Sequence, residues 1–146
     1  MLDDNRNADL KRQLRSEWAS VADEWIARVG TRRNAHRERL LDSWMLESVS
    51  DVRGLDVIDL GCGEGRFCRM LAERGANVTG VDLCEPFIEY AVAHSVGDER
   101  YAIGDMEHLV DISDGQFDLA ISYGAEGKLL SNLPGGPWVA PGKAGR

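Results

Sequence analysis

The residues whose spacing could do chemistry in this chain are three carboxylates and a run of glycines. Asp59, Asp82 and Asp105 each follow a short apolar run, and Gly61, Gly63 and Gly65 come at every second position just after the first of them. Glycine lets the backbone turn with positive φ and leaves no Cβ in the way of a ligand lying against the loop. The helical pattern that opens after Gly65 adds an N-terminus with unpaired N–H groups. A nucleotide-like ligand suits such a loop. Asp82 lies 21 residues beyond Gly61, the distance at which the acid ending a second strand reaches ribose hydroxyls, with a carboxylate able to accept two hydrogen bonds. Asp105 is placed to accept from an adenine amino group.

These residues need a scaffold that brings them to one crevice. Leu55 to Leu60, Val78 to Val81, Tyr101 to Ile103 and Phe117 to Tyr123 read as four strands, with a helix over Phe67 to Arg74 and another from Pro86 to about His94. The alternation describes βα units in a parallel sheet, and right-handed crossovers give the strand order 3-2-1-4. All three acids then fall at the carboxyl edge, where open α/β sheets bind ligands. Before the sheet, Leu10, Leu14, Trp18, Val21, Ala22 and Trp25 mark one amphipathic helix over Ala8 to Val29, and Leu40, Leu41, Trp44, Met45 and Val49 mark a second over Ala35 to Val49. Trp18 and Trp25 are expected to dock the first helix on the core. A turn of helix is expected at Met106 to Leu109.

At 146 residues the chain is long enough for one domain and short for two ordinary ones. Its segments divide as helices over 1–54, the ligand-binding core over 55–123 and an atypical tail over 124–146. A net charge of -8 and a pI near 4.8 argue against a nucleic-acid or anionic-membrane partner. Arg28, Arg32, Arg33, Arg37 and Arg39 cluster, but Asp23, Glu24 and Glu38 lie among them, as on a solvated mixed-charge surface. With no signal-like opening and no run of about 20 apolar residues, a cytoplasmic location is expected. Cys62, Cys68 and Cys84 are odd in number and lack CxxC spacing, so reduced structural thiols are expected and no metal site is indicated.

Asp59-Leu60-Gly61-Cys62-Gly63-Glu64-Gly65 resembles motif I of the class I S-adenosylmethionine-dependent methyltransferases, of the small-molecule type. Gly80-Val81-Asp82-Leu83 is similar to that family's ribose-binding motif, Gly104-Asp105-Met106-Glu107 to its adenine-contacting motif, and Phe117 to Ser122 to its fourth strand. The resemblance spans Leu55 to Tyr123. It implies a Rossmann-like α/β/α fold and S-adenosylmethionine as cofactor. Gly61, Cys62, Gly63 and Gly65 would lie against its methionine part and ribose, with Asp59 near its amino group. Asp82 would hold the ribose hydroxyls, Leu83 would cover the adenine, Asp105 and Met106 would frame the base, and Ser122 would sit near the sulfonium and a small-molecule acceptor. The N-terminal helices correspond to a lid, where Asn34, His36 and Arg37 are candidates, Arg37 for a cofactor carboxylate. No catalytic base is indicated, since an activated methyl group chiefly needs an aligned acceptor; His94 and His108 read as surface residues.

The resemblance also implies a seven-stranded sheet, of which the sequence offers four strands. Residues 124–146 hold six of the sixteen glycines and three of the four prolines, with one acid, Glu126. This stretch reads as disordered or foreign to the fold, as after truncation or a frameshift. It would leave the fourth strand as an open edge through which copies could associate. Two other readings follow: a non-catalytic half-domain that binds cofactor or a partner, and an NAD(P)-dependent oxidoreductase. The latter wants G-x-G-x-x-G, whereas here Gly61-x-Gly63-x-Gly65 leads into Arg66.

Overall fold

The computed structural model describes residues 2–30, 35–109, 112–113, 115–123 and 138–140, with 2–4, 29–30, 35–39 and 138–140 as backbone only. Helices α1 (Leu2–Gly30) and α2 (Ala35–Val49) precede strand β1 (Asp56–Leu60), helix α3 (Arg66–Glu73), strand β2 (Asn77–Asp82), helix α4 (Glu85–Ala93), and strands β3 (Arg100–Ile103), β4 (Leu119–Ser122) and β5 (Trp138–Ala140). The sheet order is β3-β2-β1-β4-β5. Its first four strands are parallel, in the order read from the sequence.

Register puts the chemistry on one edge. Asp59 pairs with Gly80 on one side and Ile121 on the other, so the carboxyl ends of β1, β2 and β4 are level. The core lies beneath, where Val57, Val78 and Ile121 meet Phe67, Cys68 and Leu71 of α3 and Met45 and Val49 of α2. Burying these side chains, each worth about 1.5–3 kcal/mol, is what fixes α3 and α2 on the sheet. Pro86 at the start of α4 loses no helical bond, because the first N–H groups of a helix have no partner.

Four expectations change. The β4 edge is not open: β5 pairs with it antiparallel, Ala120 with Ala140 and Ser122 with Trp138. An unpaired edge is a row of free donors and acceptors, and a three-residue apolar run suffices to take it. The run is too short to show a period, and self-association through that edge loses its support. The rest of 124–146 lies outside the described residues. Second, α1 starts at Leu2 rather than Ala8, because a helix once nucleated propagates cheaply through polar residues that carry no apolar period. Third, Asp105 to His108 is a tight turn closed by an isolated bridge, with the Glu107 N–H donating to Asp105 Oδ1 at 2.9 Å. A short acid satisfies its own turn this way and competes with a helix.

Fourth, the apolar face of α1 is only partly used. Ala22 is fully buried against Cys84 and Phe87, and Ile26 packs beside it. Trp18 does dock, 5.9 Å from Phe87 and 6.1 Å from Trp25 between ring centroids, yet Trp18 and Trp25 both stay 40% exposed. No helix among the described residues is long and apolar enough to cross a membrane.

Candidate functional site

The glycine loop is built by its neighbours' backbones. Gly61, Gly63 and Gly65 have φ of 75°, 58° and 83°, a path closed to most side-chain-bearing residues. The Gly61 and Cys62 N–H groups both donate to Val81 O, at 2.8 and 3.0 Å, which stitches the loop to β2. Gly65 stands at the start of α3 with no side chain capping the helix, so the helix N-terminus is free to meet a ligand. A Cβ at Gly63 would meet nothing within 4 Å, so the loop's outer side is open. Its inner side is full: a Cβ at Gly80 would come 2.8 Å from both Cys62 Sγ and Tyr101 Cδ1.

Asp82 clamps this loop. Its Oδ2 accepts the Gly63 N–H at 2.9 Å and its Oδ1 the Cys84 N–H at 2.8 Å. Each oxygen retains a lone pair for a further donor. Burial pushes the carboxyl up from its ordinary range, and the backbone N–H groups of Cys84 and Gly63 oppose that. Leu83 follows it, half-buried at the crevice.

Asp59 lies deeper, 1% exposed. Its Oδ2 accepts from the Cys68 thiol at 3.4 Å, and its Oδ1 makes no well-formed hydrogen bond among the described residues, although the Tyr123 N–H lies near the carboxyl. Burial pushes this carboxyl up to about 7, and the nearby charges of Asp82 and Glu64 push the same way. A buried, unsatisfied acid is costly unless something completes it. Cys62, Cys68 and Cys84 are free and buried.

The third acid meets α1. Asp105 is half-buried and forms an ion pair with Lys11, which also pairs with Glu107. Burial alone would raise the Asp105 carboxyl, but the hydrogen bonds from Lys11 and the Glu107 N–H bring it below its ordinary value. Met106 is half-buried beside it. His108 Nδ1 is 3.7 Å from Asp105 Oδ2, on an exposed ring. Ser122 sits at the end of β4, but its hydroxyl donates to Leu60 O at 2.9 Å, so its proton is spent on the sheet.

Three side-chain features went unread in the sequence. Asp42 of α2, 7% exposed, accepts from both terminal guanidinium nitrogens of Arg66, one at 2.9 Å, and from the Tyr123 hydroxyl at 2.8 Å. Burial first, and then Asp42, push the Tyr123 hydroxyl up to about 12. The signal was there: Asp42 stands at helical spacing with buried Met45 and Val49. Tyr101, whose buried hydroxyl has no partner among the described residues, and Lys11 gave none. The expectation for Asn34 lies outside the described residues, as do the side chains of His36 and Arg37.

The description "methyltransferase domain" belongs to the family that matches residues 58–126. A ubiquinone biosynthesis O-methyltransferase of Idiomarina loihiensis is 32% identical over 123 residues, 82% of this chain and 49% of that protein. The crystal structure of a TehB-like SAM-dependent methyltransferase from Corynebacterium glutamicum superposes with a TM-score of 0.59 at 28% identity, over 72% of this chain and 55% of that one. Phosphoethanolamine N-methyltransferase 1 of Haemonchus contortus, in complex with phosphoethanolamine and S-adenosylhomocysteine, gives a TM-score of 0.63 at 28% identity, over 77% of this chain and 25% of that one. The chain spans half or less of the length of the curated relatives it matches. On these matches, residues 58–126 form a methyltransferase domain similar to those of the class I S-adenosylmethionine-dependent methyltransferases.

Proposed function

We propose that this chain binds S-adenosylmethionine at the carboxyl edge of β1, β2 and β3 and serves transfer of its methyl group to a small-molecule acceptor. The observation that carries the reading is the Asp82 clamp: one carboxylate fixes Gly63 and Cys84 and keeps a lone pair on each oxygen for ribose hydroxyls. The residues suit the cofactor on a second count, since Asp59, buried at the end of β1 with no well-formed hydrogen bond to Oδ1 among the described residues, is an acid that an ammonium would complete. Gly61, Cys62, Gly63 and Gly65 would carry the methionine and ribose portions. Leu83, Asp105 and Met106 would carry the base, and Ser122 would border the acceptor side with its lone pairs.

S-adenosylmethionine supplies a methyl group already activated on sulfur. The chain's share is therefore to bind, orient and exclude water, and positioning of this kind supplies up to about 7–11 kcal/mol of a barrier. Asp59 balances an amino group, Asp82 sets the ribose, and Tyr123, tied to Asp42 and Arg66, keeps the end of β4 fixed. No residue is assigned as general base. The segments 1–54, 55–123 and 124–146 act in this proposal as helical cover, cofactor core and atypical tail. Three free thiols in the core agree with the reducing cytoplasm.

Calorimetric titration with S-adenosylhomocysteine, with NAD as control ligand, tests the reading. Saturable binding of the former alone supports it; binding of NAD alone would favour an oxidoreductase. A second reading is cofactor binding without turnover. Binding of the homocysteine ligand without methyl transfer to any of a panel of phenol, amine and thiol acceptors would select it.

A further inference from the structure

Helix α1 touches the domain at two places along one face. Ala22 is buried against Cys84 and Phe87, just past the end of β2. Lys11 is joined to Asp105 and Glu107, just past the end of β3. The anchors are eleven residues apart, about 16 Å along a helix, and positions i, i+7 and i+11 share a face. Trp18 therefore lies between them on that face, against Phe87 yet 40% exposed. The helix thus runs along α4 from the residues just past β2 to the turn just past β3 that carries Asp105.

At the β3 end it delivers one cation to two acids. The Glu107 N–H holds Asp105 Oδ1, which fixes the plane of that carboxylate, while the ammonium of Lys11 sits on Oδ2 and reaches Glu107 as well. Asp105, Glu107 and His108 bring ligand atoms within 4.8 Å of one another, but Lys11 already supplies the positive charge there. Lys11 is raised in pKa by its hydrogen bonds to Asp105 and Glu107, so both partners are charged at neutral pH. An acceptor and a donor thus stand side by side at one rim. Adenine shows the complementary edge, an amino donor next to a ring-nitrogen acceptor. A 6-oxopurine shows the reverse, a carbonyl acceptor next to a ring N–H donor.

We propose that Lys11 is a specificity-determining residue of the cofactor site, reading the ring nitrogen of adenine while Asp105 reads its amino group, so that α1 takes part in telling adenine from a 6-oxopurine. This rests on the cofactor reading above and adds a residue 94 positions away from Asp105 in sequence.

The test is calorimetric titration of the full chain with S-adenosylhomocysteine and with its deaminated form, S-inosylhomocysteine. Wild type is expected to bind the adenosyl ligand at least tenfold more tightly. Lys11→Met is expected to weaken the adenosyl ligand about tenfold and the inosyl ligand less, narrowing the ratio at least threefold, while Lys11→Arg keeps it. Equal loss for both ligands, or no loss, would reduce Lys11 to a strap and overturn the proposal while the cofactor reading stands. Tighter binding of the adenosyl ligand by Lys11→Met would overturn it too, since the ammonium would then be competing for the place of the amino group. If wild type binds neither ligand, the cofactor reading fails and this one with it. Should Lys11→Met melt well below wild type, Lys11→Leu, which also lacks a donor, carries the same comparison.

Discussion

Between Asp59 and Cys84 the contacts are short, local and made largely by backbone groups: Val81 O takes two loop N–H groups and Asp82 takes two more. Helices α1 and α2 are held differently, through a few side chains each, Lys11 and Ala22 for one, Asp42, Met45 and Val49 for the other. Leu10, Leu14, Val21, Leu40, Leu41 and Trp44 meanwhile stay between 42% and 65% exposed. The loop region is preorganised, and its errors are expensive. The helical layer is attached at points, so most of its apolar residues are energetically idle in this chain while a few polar ones matter greatly.

The sharpest break in that contrast comes from Asp59. Its carboxyl is raised to about 7 in the fold from an ordinary 3.8, so the folded chain holds a proton that the unfolded chain releases between those values. Stability must fall as pH rises through that window, by up to about 4 kcal/mol. Asp59→Asn is expected to flatten the dependence of melting temperature on pH between 4 and 7. Because an ammonium prefers the ionised acid, affinity for S-adenosylhomocysteine should rise from pH 6 to 8 in wild type. A flat wild-type profile would remove Asp59 from the amino subsite.

Gly65→Ala comes next. The new Cβ would lie 2.8 Å from Ala91 Cβ at a φ of +83°, and strain plus overpacking of this kind costs about 2–3 kcal/mol. Thermal melting should register it as a large drop. In the helical layer, Asp42→Ala should cost about 2–3 kcal/mol because it leaves the half-buried Arg66 guanidinium and the Tyr123 hydroxyl without this shared partner. That loss, read by denaturant titration, would show that α2 hangs on one polar residue. The smallest effect is expected at Leu40, 65% exposed: Leu40→Gln should stay within about 0.5 kcal/mol. A larger loss would mean that this face is covered after all.

Legibility in the sequence follows the same divide. The βα units between Asp56 and Ser122 could be read because strand, glycine turn and helix start each leave a local signature, and the strand-end acids fall into line once the order 3-2-1-4 is drawn. What that reading missed depends on distance. Lys11 meets Asp105 across 94 positions and Tyr123 meets Asp42 across 81, and no local pattern encodes either. Trp138 to Ala140 was hidden for another reason: three residues among prolines and glycines show no period, yet they are enough to cap an edge. Ser122 was placed correctly on β4, but the use of its hydroxyl within the sheet depends on Leu60, sixty-two positions away.

The Asp82 clamp bears on timing as well as on fit. A loop tied at Gly63 by the same carboxylate that holds Cys84 does not have to be ordered when a ligand arrives, so little entropy is lost there. Nor can it swing aside to let one go without breaking the bonds that shape β2's end. Departure of the proposed ligand would then be easiest past α1, which is held at Lys11 and Ala22 by side chains alone. How long a ligand dwells would then be governed by a surface helix, and dwell time could be tuned there without altering the glycine loop.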